Sequence, residues 1–310
     1  VSDLPAVTIL GPHPLLSIDV EARADRADEI HLHPAGQGVW VARICAALGA
    51  HPVLCGFIGG ETGTVLRPLL EAGPAELRLV PSASASGCYV SDWRTGRLVP
   101  LAAATSALPT RHELDDLVAA TIASALQTKL LVLCNPYPGD ALTADVYERI
   151  VADLRPNGVR VLADLSSPRL DGAIRGGIEL VKINDWELAA FVVGPVETWD
   201  EMAGAVRRIQ EQGVETVVIT RGERSARVFR GDERWELEAP EFRKGFREGC
   251  GDSMMGAMAA VFAQGGDLEE ALTTGAAAGA ANFLRHGLGS VDADTIRELA
   301  SSVRLVRTAG

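Results

Sequence analysis

The 310-residue sequence predicts an α/β fold built on a mostly parallel central sheet. Four short apolar runs, at 130–134, 160–164, 180–184 and 216–220, are separated by helix-length amphipathic stretches. This is the pattern of parallel strands joined by crossover helices. The runs end at Cys134-Asn135, Asp164, Asn184 and Thr220, so polar groups collect along the carboxyl edge of the sheet, where open α/β sheets bind ligands.

The N-terminal third reads differently. "LLSIDVEA", "EIHLHP" and "CYVSDWRTGRLVPLA" alternate apolar and polar residues, with a turn at Arg94-Thr95-Gly96. They predict antiparallel strands in a small β element, contributed by about 15–34 and 86–102, that projects from the main body and either covers a cleft or is a plain edge hairpin. His31 and His33 share one strand face, and no Cys, Asp or Glu stands at a zinc-like spacing from them, so solvent-facing histidines are expected rather than a metal site. Next, "PAGQGVWVARICAALG" places Gly36 and Gly38 at the start of an Ala-rich helix closed by Gly49. It lacks the strand-first context of a dinucleotide fingerprint, and Trp40 in its first turn reads equally as core or as a stacking platform. Further along, one helix is expected to begin at the N-cap Thr143 and stop before Asn157-Gly158, and another to run from a capping Asp200 to Gly213.

Bulk properties narrow the function. A composition of 47% hydrophobic and 23% charged residues is that of an ordinary globular protein, and no linker, repeat or charge run divides the chain, so residues 1–310 are read as a single domain. A net charge of -12 opposes nucleic acid and anionic lipid. The five scattered cysteines fit neither a disulfide framework nor a zinc ribbon. With no secretory signal or apolar span, a cytoplasmic protein acting on a small molecule is expected.

Three further stretches can carry chemistry. In "REGCGDSMMGAMAAVFAQGG", Gly249 and Gly251 let the backbone turn its N–H groups inward where a helix begins, which suits an anion; alternatively the glycines serve close packing and Asp252 is a first-turn acid. Met254, Met255 and Met258 read as core filler. In "LVKINDWELAAF", Lys182, Asn184 and Glu187 meet at a strand end and a helix start, where capping alone accounts for any one of them. In "VVITRGERSARVF", a strand ends at Thr220 and Gly222 permits a turn.

Taken in order, these motifs resemble the PfkB, or ribokinase-like, family of carbohydrate kinases, and within it the branch of 1-phosphofructokinases and tagatose-phosphate kinases. The likeness spans nearly the whole chain. It implies a three-layer α/β/α ribokinase-like fold with a mostly parallel sheet and a small β-sheet lid, phosphorylation of a hydroxyl with ATP and Mg²⁺, and a dimer through the lid. By this resemblance Asp252 is the base, and Gly249, Cys250 and Gly251 form the loop that stabilises the transferring phosphoryl. Lys182, Asn184, Glu187, Thr220, Gly222 and Asn282 lie on the nucleotide side, Glu187 acting indirectly on Mg²⁺. Ser17, Gly36, Gln37, Gly38 and Trp40 lie on the acceptor side.

The departures concentrate on the acceptor side. Gln37 stands where the branch commonly has lysine, Trp40 where it has asparagine, and Ser17 in place of a hydroxyl-binding aspartate. Losing a lysine–phosphate contact removes about 1.5–3 kcal/mol, roughly 10- to 150-fold in affinity. These changes suggest a non-phosphorylated sugar, cyclitol or aminooligosaccharide of the acarbose type. Two other readings stand beside it. One is an orthodox phosphosugar kinase whose phosphate is met by Arg43, Arg94 or Arg97, and the other is a non-catalytic nucleotide- or sugar-binding protein. On the nucleotide side, Arg247 replaces a small hydroxyl residue and Ser225 a second glycine.

Overall fold

The structure is a computed structural model that describes residues 4–23, 27–137, 141–243, 245–284 and 291–308. Its strands are β1 (Ala6–Leu10), β2 (Leu15–Glu21), β3 (Glu29–Ala35), β4 (His51–Ile58), β5 (Glu76–Pro81), β6 (Cys88–Asp92) and β7 (Val99–Ala104). Then come β8 (Leu130–Cys134), β9 (Arg160–Asp164), β10 (Leu180–Asn184), β11 (Thr216–Arg221), β12 (Arg224–Arg230), β13 (Glu233–Glu238) and β14 (Arg304–Arg307). The helices are α1 (Gln37–Ala47), α2 (Gly60–Glu71), α3 (Arg111–Thr128), α4 (Ala144–Leu154) and α5 (Arg169–Gly176), followed by α6 (Asp185–Val192), α7 (Trp199–Gln210), α8 (Cys250–Ala263), α9 (Leu268–Phe283) and α10 (Ala293–Ala300).

Ten strands form one sheet in the order β14-β13-β12-β11-β10-β9-β8-β1-β4-β5. It is parallel from β11 to β5 and antiparallel from β11 to β14. Strand β8 shows why the predicted runs are continuously apolar. Leu131 and Leu133 pack into a core with Leu117, Tyr147, Ile150, Leu170, Leu188 and Met202 of α3 to α7, while Leu130 and Val132 pack into a second core with Val41, Met255, Met258 and Leu272 of α1, α8 and α9. A strand covered on both faces has no polar side. The result is the three-layer α/β/α arrangement, with the methionines of α8 as core filler.

Residues around 15–34 and 86–102 form a second, four-stranded sheet, β3-β2-β6-β7; residues 24–26 of the first segment lie outside the described residues. The β6–β7 hairpin turns at Gly96, at φ +73. One expectation is corrected: β2 pairs with β3 antiparallel but with β6 in parallel, because α1, β4, α2 and β5 intervene between them. A strand also does precede α1. It is β3 of the small sheet, however, and not the parallel strand of a dinucleotide-binding unit.

The four predicted parallel strands, β8 to β11, agree to within a residue, whereas helix starts differ. Helix α7 is capped by Thr198, whose side chain accepts from the Glu201 N–H while Glu201 accepts from the Thr198 N–H, so Asp200 falls inside the first turn. Thr143 does precede α4 but makes no side-chain cap.

Candidate active site at the carboxyl edge of the sheet

Four elements converge at the carboxyl edge. Helix α8 begins at Cys250 with Gly249 as its N-cap, and Gly249 adopts φ +75, a left-handed conformation natural to glycine. No side chain caps this helix; its Cys250 N–H donates to the Arg247 carbonyl at 3.3 Å, and the positive end of its dipole opens on the glycine loop. Asp252 lies in the first turn, half-buried.

Strand β9 ends at Asp164 and β10 carries Lys182, and the two form an ion pair of 2.9 Å in which both side chains are nine-tenths buried or more. Burial pulls the Lys182 pKa down, but Asp164, Asp252 and Glu187 outweigh it and the net shift is upward. Burial, then the charge of Asp164, push Asp252 up to about 7, against opposing contributions from Lys182 and from a hydrogen bond with Gln37. The site therefore holds a carboxyl poised near neutrality beside a locked ammonium. Cys250 is no nucleophile, since burial pushes its thiol up to about 11.

Gln37, the first residue of α1, is half-buried. Its Oε1 accepts from the Asn135 N–H at 2.8 Å, and its Nε2 donates to the Asp164 carbonyl at 3.3 Å. Gly36 turns the chain into α1 at φ +104. Gly38 is fully used in packing, because a Cβ there would lie 2.6 Å from the Gly11 Cα. Trp40 is half-buried, neither core nor open platform.

Asn184 and Glu187 come together in a capping box at the start of α6: Asn184 Oδ1 accepts from the Glu187 N–H at 2.8 Å, and Glu187 Oε2 from the Asn184 N–H at 3.2 Å. Burial raises the Glu187 pKa, the Asn184 N–H opposing it. Thr220 is the register partner of Asn184 across β10–β11, and Gly222 forms the turn beyond it at φ +65. Asn282 sits behind the glycine loop, donating to the Glu248 carbonyl at 2.8 Å and to Cys250 Sγ at 3.7 Å, so its amide braces that loop. Arg247 is exposed and paired with Glu223, while Ser225 is bonded to Arg221 and Glu236.

Ser17 lies on β2, and its hydroxyl donates to Asp19 Oδ2 at 3.0 Å. Asp19 also accepts from Trp93 Nε1 at 3.2 Å, and Trp93 stands edge-on to Phe246, at 5.2 Å between ring centroids, in the segment leading to Gly249. A carboxylate, Asp19, stands two residues after Ser17 on the same strand face. The strand period carries that signal, although sequence reasoning assigned Asp19 no role. Asp164 and Asn135 were visible only as polar strand ends. Arg169 was missed altogether; it donates to Asn135 Oδ1 at 3.4 Å and Ser166 Oγ at 3.0 Å in the cluster around Gln37.

The three arginines suggested for an acceptor phosphate stand on the β6–β7 hairpin and on α1. Arg94 is held by Asp92 and Asp28, Arg97 is exposed, and Arg43 donates to the Pro34 carbonyl. His31 and His33 stack at 5.9 Å on β3, and no three His, Cys, Asp or Glu side chains cluster to hold a metal among the described residues. No helix among them is long and apolar enough to cross a membrane.

This arrangement has close relatives. Residues 15–296 match the family model described as pfkB family carbohydrate kinase. The chain is 29% identical over 261 residues to the ATP-dependent 6-phosphofructokinase isozyme 2 of Escherichia coli, covering 82% of each chain. It is 21% identical over 284 residues to the 1-phosphofructokinase of Haemophilus influenzae, covering 91% of this chain and 90% of that one. In fold it superposes on E. coli phosphofructokinase-2 in complex with potassium with a TM-score of 0.82 at 24% identity, over 96% of this chain and 98% of the other. Motifs, fold and relatives agree, and the chain belongs to the pfkB family of ATP- and Mg²⁺-dependent carbohydrate kinases.

Proposed function

We propose that this kinase phosphorylates a hydroxyl of a sugar phosphate of the fructose-phosphate class, with Asp252 as the base that takes the hydroxyl proton. The observation that carries the chemistry is the position of Asp252: a carboxyl pushed up to about 7, in the first turn of a helix that opens on glycines. A base near working pH both accepts a proton and is mostly free to do so. The glycine loop and the N-terminal end of α8 would face the transferring phosphoryl with the N–H groups of Gly249 and Gly251, the Cys250 N–H being donated to the Arg247 carbonyl, and little else is asked of the protein in such a transfer than positioning and charge stabilisation.

Mg²⁺-bound ATP supplies the electrophilic phosphoryl group. The residues present fit it. A Cβ at Gly251 would sit 3.0 Å from Lys182 Nζ, so the absent side chain leaves the ammonium facing the start of α8. Glu187 offers one carboxylate, the usual protein share when Mg²⁺ is held mainly by phosphates and water. Lys182, Asn184, Thr220 and Gly222 line the same side, and Asn282 keeps the loop in shape.

The acceptor class is supported by the names of the relatives, and Arg169 adds a cation in the Gln37–Asn135 cluster to the arginines expected from sequence. One observation favours a second reading, an uncharged sugar, cyclitol or aminooligosaccharide. Beside Gly36 lies a pocket lined by His13, Ser82, Ser84, Ser86 and Ser106, with room for about 10 Å³, close to one water. The buried atoms His13 Nδ1 and Ser106 Oγ have no partner, burial pushes His13 down to about 4, and no Lys or Arg lines the space. A hydroxyl fits there better than a phosphate.

ADP release with Mg²⁺ and ATP, across fructose 6-phosphate, fructose 1-phosphate, tagatose 6-phosphate, free hexoses, cyclitols and acarbose, tests both. Turnover confined to phosphosugars upholds the first reading and turnover confined to uncharged acceptors the second. ATP binding with no turnover at all would return the non-catalytic alternative. The thiols, free in the described residues, and the use of ATP suit a cytoplasmic location.

A second copy of the chain is the proposed partner. Register places Ile18, Val20, Ile30, Leu32, Val90 and Val99 on one face of the small sheet and Ser17, Asp19, Tyr89, His31 and His33 on the other. Ile30, Leu32 and Val99 are exposed, so the polar face is free to serve the acceptor while the apolar face pairs.

A further inference from the structure

His13 Nδ1 and Ser106 Oγ, in residues 8% and 7% exposed, are buried polar atoms without a hydrogen-bond partner, and both residues line one pocket. A buried polar group left in this way pays for its lost water with nothing in return, so two of them around one space call for an occupant. Other hydroxyls of the wall are engaged. Ser86 Oγ accepts from the Gly59 N–H at 3.2 Å, and Ser82 Oγ from the Ser84 N–H at 3.1 Å.

The chain brings this pocket to the place where the two sheets meet. His13 stands between β1 of the large sheet and β2 of the small one, and Ser106 follows β7, where the chain leaves the small sheet for α3. Gly59 and Ser82 follow β4 and β5, which run parallel beside β1, so the pocket lies on the carboxyl edge that also carries Asp164 and Asn184, across β8 from them. The link to the reacting groups is short. The His13 carbonyl lies 3.0 Å from the place of a Gly36 Cβ, and the next residue, Gln37, is bonded to Asn135 and Asp164.

The space suits one kind of group. Room for about 10 Å³ is close to one water. A neutral imidazole nitrogen is either a bare acceptor or an N–H donor, and a serine hydroxyl is both. A hydroxyl, itself donor and acceptor, therefore satisfies the pair in either tautomer of His13. A phosphate exceeds the space, and with no Lys, Arg, Asp or Glu in the wall a phosphate or an ammonium would bring in a charge that nothing answers.

We propose that His13 and Ser106 are specificity-determining residues that take one hydroxyl of the acceptor, other than the one that is phosphorylated. Asp252, Asp164 and Lys182 do not line the pocket, so the reacting hydroxyl lies elsewhere. The proposal rests on the reading of this chain as a kinase of a hydroxylated acceptor, and it applies to a phosphosugar and to an uncharged acceptor alike. A water that fills the space beforehand is displaced with its hydrogen bonds reproduced.

The test uses the full chain, the acceptor of fastest turnover in the ADP-release panel, and its monodeoxy analogues, each lacking one hydroxyl that is not phosphorylated. On the wild type one analogue is expected to lose about 10- to 100-fold in kcat/KM, with the KM for ATP little changed. On Ser106→Ala and His13→Phe the parent acceptor should lose a similar factor through its KM, and that analogue little more than the parent. His13→Asn, whose amide returns a polar atom near the place of Nδ1, should recover part of the loss. Independently of turnover, the ring nitrogens of His13 are followed by NMR, assigned by their loss in His13→Phe, as fructose 6-phosphate, fructose or acarbose is added without ATP. The Nδ1 signal is expected to move with the sugar that binds and not with its deoxy analogue.

Equal losses for all analogues, or a selective loss that persists undiminished in Ser106→Ala, would overturn the proposal, as would an Nδ1 signal that no sugar of the panel moves. The ring signal separates this failure from that of the proposed function. Silence in ADP release sinks the kinase reading, while a displaced Nδ1 signal still sets a sugar hydroxyl beside His13.

Discussion

Asp252 is destabilising in the state in which it works. Its folded pKa of about 7 lies above the ordinary carboxylate value of 3.8, so the folded protein holds that proton more tightly than the unfolded chain. Stability from this group is lost as pH rises from about 4 to about 7 and stays lost above. Asp252→Asn should therefore raise Tm at pH 8 by a few degrees and leave it nearly unchanged at pH 3, where the carboxyl is mostly neutral in both states; thermal scans at the two pH values check this. Lys182→Met should do the reverse, since it strands Asp164 in a buried position. A loss of about 3–5 kcal/mol in urea unfolding at pH 7 is expected. Gln37 was visible as an unusual residue, but its partners Asn135 and Asp164 lie 98 and 127 residues away, and no local pattern encodes such an encounter. Asp19 was legible in principle, two positions from Ser17 on an alternating strand.

Helices α1 and α8 cross tightly, and that crossing fixes how the helix bearing Asp252 is seated on the sheet. At Gly256 a Cβ would lie 2.7 Å from the Val41 carbonyl and 3.0 Å from the Ile44 Cβ, so the helices touch through backbone. Gly256→Ala is expected to cost about 1–3 kcal/mol. It should also lower turnover although the residue touches neither substrate; parallel Tm and kcat measurements test this. Glycine spacing in "SMMGAM" gave no hint of that crossing, because a buried helix is apolar all round. The four parallel strands β8 to β11 were legible almost to the residue, since burial on both faces forces an unbroken apolar run, whereas the other six strands of the large sheet were not predicted. Helix starts were less so: Asp200 and Thr198 are both good caps, and the choice of Thr198 follows from Glu201 standing three residues beyond it.

At the scale of the whole molecule, two sheets divide the work. The large sheet gathers Asp164, Lys182 and Asn184 at one edge, and the small sheet turns Ser17 and Asp19 one way and its apolar residues the other. Ile30→Lys, at a position 64% exposed, should leave the fold intact and shift the protein toward monomer in light scattering. The order of motifs along the chain made the large sheet and its ligand edge readable, whereas acceptor selectivity depends on side chains from both sheets and was not. The central claim, that phosphoryl transfer proceeds through Asp252, is tested most directly by single-turnover phosphorylation of the preferred acceptor in wild type and Asp252→Asn, with ATP affinity measured alongside. The account predicts a fall of roughly 10²–10⁴-fold with ATP binding nearly intact, and transfer at the wild-type rate in the variant would contradict it.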